Sequence, residues 1–145
     1  IIGDEIKVSE ILLKSVDDIV THTLYYTDSC ASSIMSGDEA DFVSGSLKPI
    51  SGRVMFGDKS SQLKVTHTGS LIFKARDKAG HLHEIHFSGA LLVPGLKLKL
   101  LSVSKLKEKG IESNFWTNQL VVLDRVTKFP VMQVGSVFAV KQAFQ

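Results

Sequence analysis

Cysteine is almost missing from this chain: Cys30 is the only one in 145 residues. A single thiol makes no intrachain disulfide and no multi-cysteine metal site, so stability has to come from a packed core. A domain of this size buries about 68–70% of its unfolded surface, which is enough for one. Long apolar runs are missing too. None approaches the ~20 residues of a membrane-spanning helix, and no membrane partner is expected. Charge of one sign is scarce: 17 Lys+Arg against 15 Asp+Glu leave a net +2. That balance is too even to drive binding to a polyanion, so nucleic acid is not an expected partner. No internal repeat or low-complexity tract is present, which argues against a solenoid. The opening residues Ile1-Ile2-Gly3-Asp4-Glu5 contain no initiator methionine and no signal-peptide pattern, and a piece of a longer polypeptide is expected.

What is present reads mostly as strand. Residues 4–20 carry Val8, Ile11, Leu12, Val16 and Ile19 at helical spacing, although the alternation of Ile6 and Val8 also allows a strand at the front. A strand over Thr23–Thr27 runs into a turn at Asp28-Ser29-Cys30-Ala31-Ser32-Ser33, where small residues and side-chain oxygens favour a hydrogen-bonded loop. Arg53–Phe56 and Gln62–Thr66 flank Gly57-Asp58-Lys59-Ser60-Ser61 as a hairpin. Gly69–Ala75 and His81–Phe87 are read as further strands around Asp77-Lys78-Ala79-Gly80, before the apolar run Ala90–Val93. Ser102–Lys109 is the clearest helix, with a capping hydroxyl at its start and Gly110 at its end. Ile111–Phe115, Leu120–Leu123 and Val131–Val134 add short strands. Closely spaced strands with one late helix predict an all-β, closed or nearly closed barrel, with a short helix near residues 102–109.

Several chemical readings compete. Asp28, at the end of an apolar strand and followed by small residues, has the setting of a hydrolase carboxylate, but taken alone it reads more readily as a turn or cap residue. Cys30 as a nucleophile would need a nearby histidine; a buried, inert thiol is the simpler reading. His83-Glu84-Ile85-His86 is one residue short of the zincin spacing, and on a strand only His81 and His83 share a face. No metal and no cofactor is therefore expected. The lysines at 97, 99, 105, 107 and 109 read as a solvated face, and Trp116 as a core or rim aromatic.

Asp28-Ser29-Cys30-Ala31-Ser32-Ser33-Ile34-Met35 resembles the Asp-Ser-Gly-Ala-Ser-Ser-His-Met pattern of copia-type retrotransposon proteases. The resemblance continues in order through Val54-Met55-Phe56-Gly57-Asp58-Lys59-Ser60, similar to the family's Gly-Asp-Gly hairpin, and through His83-Glu84-Ile85 and Leu91-Leu92-Val93-Pro94-Gly95-Leu96. Leu100-Leu101-Ser102-Val103-Ser104-Lys105-Leu106, Lys109-Gly110-Ile111 and Phe115 then match the late helix and its exit strand. Gly135–Val140 resembles the segment that leads into the pre-integrase region.

The resemblance implies a retropepsin-like barrel over residues 23–134, after an N-terminal extension over 1–22 and before a C-terminal segment over 135–145. It implies an aspartic endopeptidase that processes its Gag-Pol polyprotein in the cytoplasm or in a virus-like particle. Two close carboxylates share one proton, so one serves as base toward water while the other donates. This chain has one such motif, and the implied enzyme is a homodimer with Asp28 from each copy. By similarity, Ser29, Cys30 and Ala31 form the active-site loop with Asp28, and Ser29 braces it. Phe56, Gly57, Asp58 and Lys59 form a flap, while Leu100, Leu101 and Ser102 pack behind the site. The sequence departs from the family pattern in three places: Cys30 stands for glycine, Ile34 for histidine and Lys99 for asparagine. A Cβ at a glycine turn obstructs close chain approach, which sets an inactive structural or interaction barrel beside the protease as the alternative. A nucleic-acid-binding barrel using the lysine cluster is the third reading.

Overall fold

The computed structural model describes residues 5–8, 24–28, 31–56, 62–96, 99–114, 116–134 and 137–143. Among these the chain is nearly all strand: β1 (Glu5–Val8), β2 (Leu24–Asp28), β3 (Met35–Ser36), β4 (Lys48–Phe56), β5 (Gln62–Arg76), β6 (Leu82–Leu92), β7 (Lys99–Ser102), β8 (Ile111–Asn114), β9 (Gln119–Val122), β10 (Lys128–Pro130), β11 (Met132–Val134) and β12 (Val137–Lys141). The α-helix α1 (Val103–Glu108) follows β7 directly, and a 3-10 turn spans Glu39–Asp41.

Nine strands form one mixed sheet in the order β1-β4-β5-β6-β3-β7-β2-β12-β11, and β10-β9-β8 form a second, three-stranded sheet. The all-β class with one short helix is as the strand spacing predicts. The hydrogen-bonded order is open, with β1 and β11 at its ends among the described residues.

The central strands explain the core. β2, β7 and β12 are short and apolar on both faces, as strands covered on both sides must be. Tyr26, Leu100 and Ala139 face one hydrophobic cluster with Met35, Val54, Val65 and Leu91. Their neighbours Tyr25, Leu101 and Val140 face a second cluster with Phe73, Leu92, Leu106, Leu120 and Phe129. β5 serves both, Val65 in the first cluster and Leu71, Phe73 and Ala75 in the second.

Several expectations change in detail. Gln62–Thr66 and Gly69–Ala75 are one 15-residue strand, and His81–Phe87 with Ala90–Val93 is largely one strand, β6. The break in β6 comes from a bulge: the β5–β6 register shifts between Gly69 and Leu71. The extra residue lies on β6, where Gly89 takes φ +69 in open space, so its backbone angle is the requirement rather than room. The stretch read as helical over 4–20 opens with the strand β1, and the rest of it lies outside the described residues. Val137–Lys141 is part of the sheet, as β12 between β2 and β11. No described helix is long and apolar enough to cross a membrane.

Candidate functional site

Asp28 closes β2, which runs parallel to β7 with Tyr25 opposite Lys99, Leu101 opposite Thr27, and Ser102 opposite Asp28. The carboxylate residue is only 5% exposed. Ser102 ties the junction together. Its Oγ donates to the Ala31 carbonyl at 2.8 Å and accepts from the Lys105 N–H at 3.3 Å, so one hydroxyl caps α1 and fastens the loop that follows Asp28. The Ala31 N–H reaches back to the Asp28 carbonyl at 3.4 Å. Ala31 and Leu100 lie in the first cluster and Leu101 in the second, all three buried.

The structure thus brings Asp28, Ala31, Leu100, Leu101 and Ser102 to one junction. Ser29 and Cys30 lie outside the described residues, as do Gly57, Asp58 and Lys59. Phe56 ends β4, and the next described residue, Gln62, starts β5.

At the other end of the same strand pair lies a cluster that the sequence reading missed. Lys99 is buried, at 4% exposure, inside the apolar strand β7. Its Nζ sits 3.0 Å and 2.9 Å from the two Asp41 carboxylate oxygens and 2.7 Å from Gln142 Oε1. Gln142 Nε2 donates to Asp41 Oδ1 at 3.0 Å, and Ser36 Oγ donates to Asp41 Oδ2 at 2.6 Å. The 3-10 turn that presents Asp41 is capped by Asp38, which accepts from the Ala40 N–H at 2.9 Å. Tyr25 packs beside the cluster, with Lys99 Nζ 5.4 Å from its ring centre. Burial, then the Asp41 charge, pushes the Tyr25 phenol well above its ordinary value and keeps it neutral. Its hydroxyl is near Asp41 but outside bonding geometry.

Asp41 is therefore fully engaged, its two oxygens taken up by Lys99, Gln142 and Ser36. The only prior signal was Lys99 itself, a cation in the run Leu98-Lys99-Leu100-Leu101 where the copia-type pattern carries asparagine. Its burial also removes it from the solvated lysine face; Lys105 pairs with Glu108 at 3.6 Å.

The histidine stretch resolves into local pairs. His83 Nε2 is 2.8 Å from Asp77 Oδ2, His81 Nδ1 is 3.6 Å from the same oxygen, and His86 faces Glu84 at 3.9 Å. Among the described residues no three His, Cys, Asp or Glu side chains converge to hold a metal ion. Trp116, read as a core or rim aromatic, is 98% exposed.

A family model described as the Pol polyprotein, beta-barrel domain matches residues 25–111, well over half of the chain. The chain belongs to that family. No curated protein and no solved structure matches it. The matched span of this Pol polyprotein β-barrel domain runs from β2 to the first residue of β8. It holds the Asp28–Ser102 junction and the Asp41–Lys99 pair, while Gln142 lies beyond it.

Proposed function

We propose that this Pol polyprotein β-barrel domain is the retropepsin-like protease region of a copia-type retrotransposon, cutting its Gag-Pol precursor as a homodimer. The observation that carries the reading is the parallel β2–β7 pair: it sets Asp28 at a strand end opposite Ser102, whose hydroxyl anchors the following loop to the start of α1. In this reading the anchor at Ala31 limits the movement of Asp28 three residues earlier, which is what proton sharing with a second carboxylate requires. The chain carries a single Asp-Ser-x-Ala motif, so in this reading the mate of Asp28 comes from another copy of the chain. In this reading the chain between β4 and β5 serves as the flap. The same reading takes the long sheet as a barrel, which the contribution of β5 to both hydrophobic clusters supports.

The test is autocleavage of a longer polypeptide that includes sequence on both sides of the domain, followed by mass spectrometry of the products. Cleavage should disappear in Asp28→Asn, rise in Cys30→Gly and track the dimer fraction seen by sedimentation. Products that persist in Asp28→Asn would rule out the aspartic mechanism. The second reading, a catalytically silent structural module, is favoured by the 5% exposure of Asp28. It predicts an intact precursor with the natural sequence and with Cys30→Gly alike.

A further inference from the structure

The outer edge of β4 is occupied in an unusual way. β4 is paired antiparallel with β5 on one side, and on the other it carries the four-residue strand β1 in parallel: Glu5 opposite Arg53, Ile6 opposite Val54, Lys7 opposite Met55 and Val8 opposite Phe56. β1 has no other sheet neighbour among the described residues. Fifteen sequence positions, 9–23, separate it from β2, so it is a distant segment of the chain captured on an edge. A short parallel strand with one neighbour is weakly held, and a sheet edge offers the same unpaired N–H and C=O groups to any extended chain.

We propose that the Arg53–Phe56 edge of β4 is a docking site for an extended peptide, filled in this structure by residues 5–8 in cis and open to a strand of the same kind in trans. The register defines the ligand. Positions opposite Val54 and Phe56 are apolar in the resident strand, and those opposite Arg53 and Met55 are charged. In a parallel strand the residues before the Arg53 position run toward Gly52 and Ser51. An open hollow lined by Ser51, Gly52, Arg53, Gln62, Leu63 and Lys64 lies across this part of the β4–β5 pair, with two cationic side chains, of which Arg53 donates to Gln62 Oε1 at 2.7 Å. The preferred peptide is thus acidic at its N-terminal end and alternates apolar and polar residues after it, the pattern Asp4-Glu5-Ile6-Lys7-Val8. This site needs no catalysis and goes beyond the proposed protease reading.

The experiment uses the full chain carrying Ile6→Pro with Lys7→Pro. Adjacent residues of a strand direct their N–H groups to opposite sides, so one of the two prolines removes a donor that faces β4. Amides of Arg53–Phe56 should exchange several-fold faster by hydrogen–deuterium exchange, with α1 and β7 unchanged. A synthetic peptide of residues 1–10 should restore their protection. It should bind the double variant at least ten-fold more tightly than the natural chain, where the tethered strand competes at an effective concentration in the ~mM range. Replacing Asp4 and Glu5 of the peptide by Asn and Gln should weaken it, and a scrambled peptide should not bind. Unchanged exchange at Arg53–Phe56, or equal peptide affinity for both proteins, would overturn the proposal. If the double variant does not fold, the natural chain is titrated with the peptide to millimolar concentration. Amide shifts at Arg53–Phe56 then support the site, and their absence overturns it.

Discussion

Replacing Lys99 by Met removes the cation from a site where both partners are almost sealed from water, the Lys99 and Asp41 side chains being 5% and 3% exposed. Met keeps the length and the apolar stem, so packing in β7 changes little and the lost charge dominates. Asp41 would keep its bonds from Ser36 and Gln142 and lose the only cation within bonding distance among the described residues. Breaking a buried pair in this way costs about 3–5 kcal/mol, because a desolvated charge is left behind. That is a large share of the ~5–15 kcal/mol that holds a domain together. It corresponds to a fall of about 10 °C in Tm at ~2–4 °C per kcal/mol for a chain near this size. Lys99→Met with Asp41→Leu should recover part of the loss, limited by the unpaired Ser36 and Gln142 left behind at about 1–3 kcal/mol each. Urea unfolding followed by far-ultraviolet circular dichroism is the assay. Trp116 fluorescence is a poor probe because that side chain is 98% exposed in the folded chain. A loss below about 1 kcal/mol for Lys99→Met, outside the ~3–5 kcal/mol expected of a buried pair, would refute the reasoning, as would a double variant no more stable than the single one.

Three other outcomes are expected. Ser102→Ala removes both the helix cap and the bond to the Ala31 carbonyl, and should lower stability by about 1–2 kcal/mol in urea titrations. Gly37→Ala would place a Cβ 2.5 Å from the Leu96 carbonyl oxygen and 3.0 Å from that of Val93. Both are backbone atoms that cannot swing aside, so a loss of about 1–3 kcal/mol is expected from the same titration. The Asp77 carboxyl is held below its ordinary value, first by His83 and then by the N–H groups of His81 and Ala79. A lowered folded value means extra stability above about pH 4 that drains away as acid protonates the folded carboxyl. Asp77→Asn should therefore flatten the acid limb of a Tm-against-pH curve and leave its shape near neutrality alone. An unchanged acid limb would show that Asp77 is not the group responsible.

Strand and helix positions were legible because their causes are local. Alternation along Gln62–Thr66 and Leu82–Phe87, turn residues at Asp77–Gly80, and a hydroxyl before with a glycine after the helix near 102–109 each act within a few positions. Asp28 was legible as a candidate because its neighbours are small and its strand apolar. The merging of short strands into β5 and β6 was not, since the bulge at Gly89 hides inside a run of β6 that otherwise reads as two, and β5 continues past it.

Order along the chain was enough to set the all-β class, the capped helix and the place of Asp28 at a strand end, because each follows from side chains one turn or one pleat apart. The folded arrangement alone settled that Lys99 is a core cation, that Asp41 belongs to it, and that Gln142 closes the cluster. These partners are 58, 43 and 101 positions apart. No periodicity spans such distances; only the burial of three separate elements against one another makes an ionic pair of them.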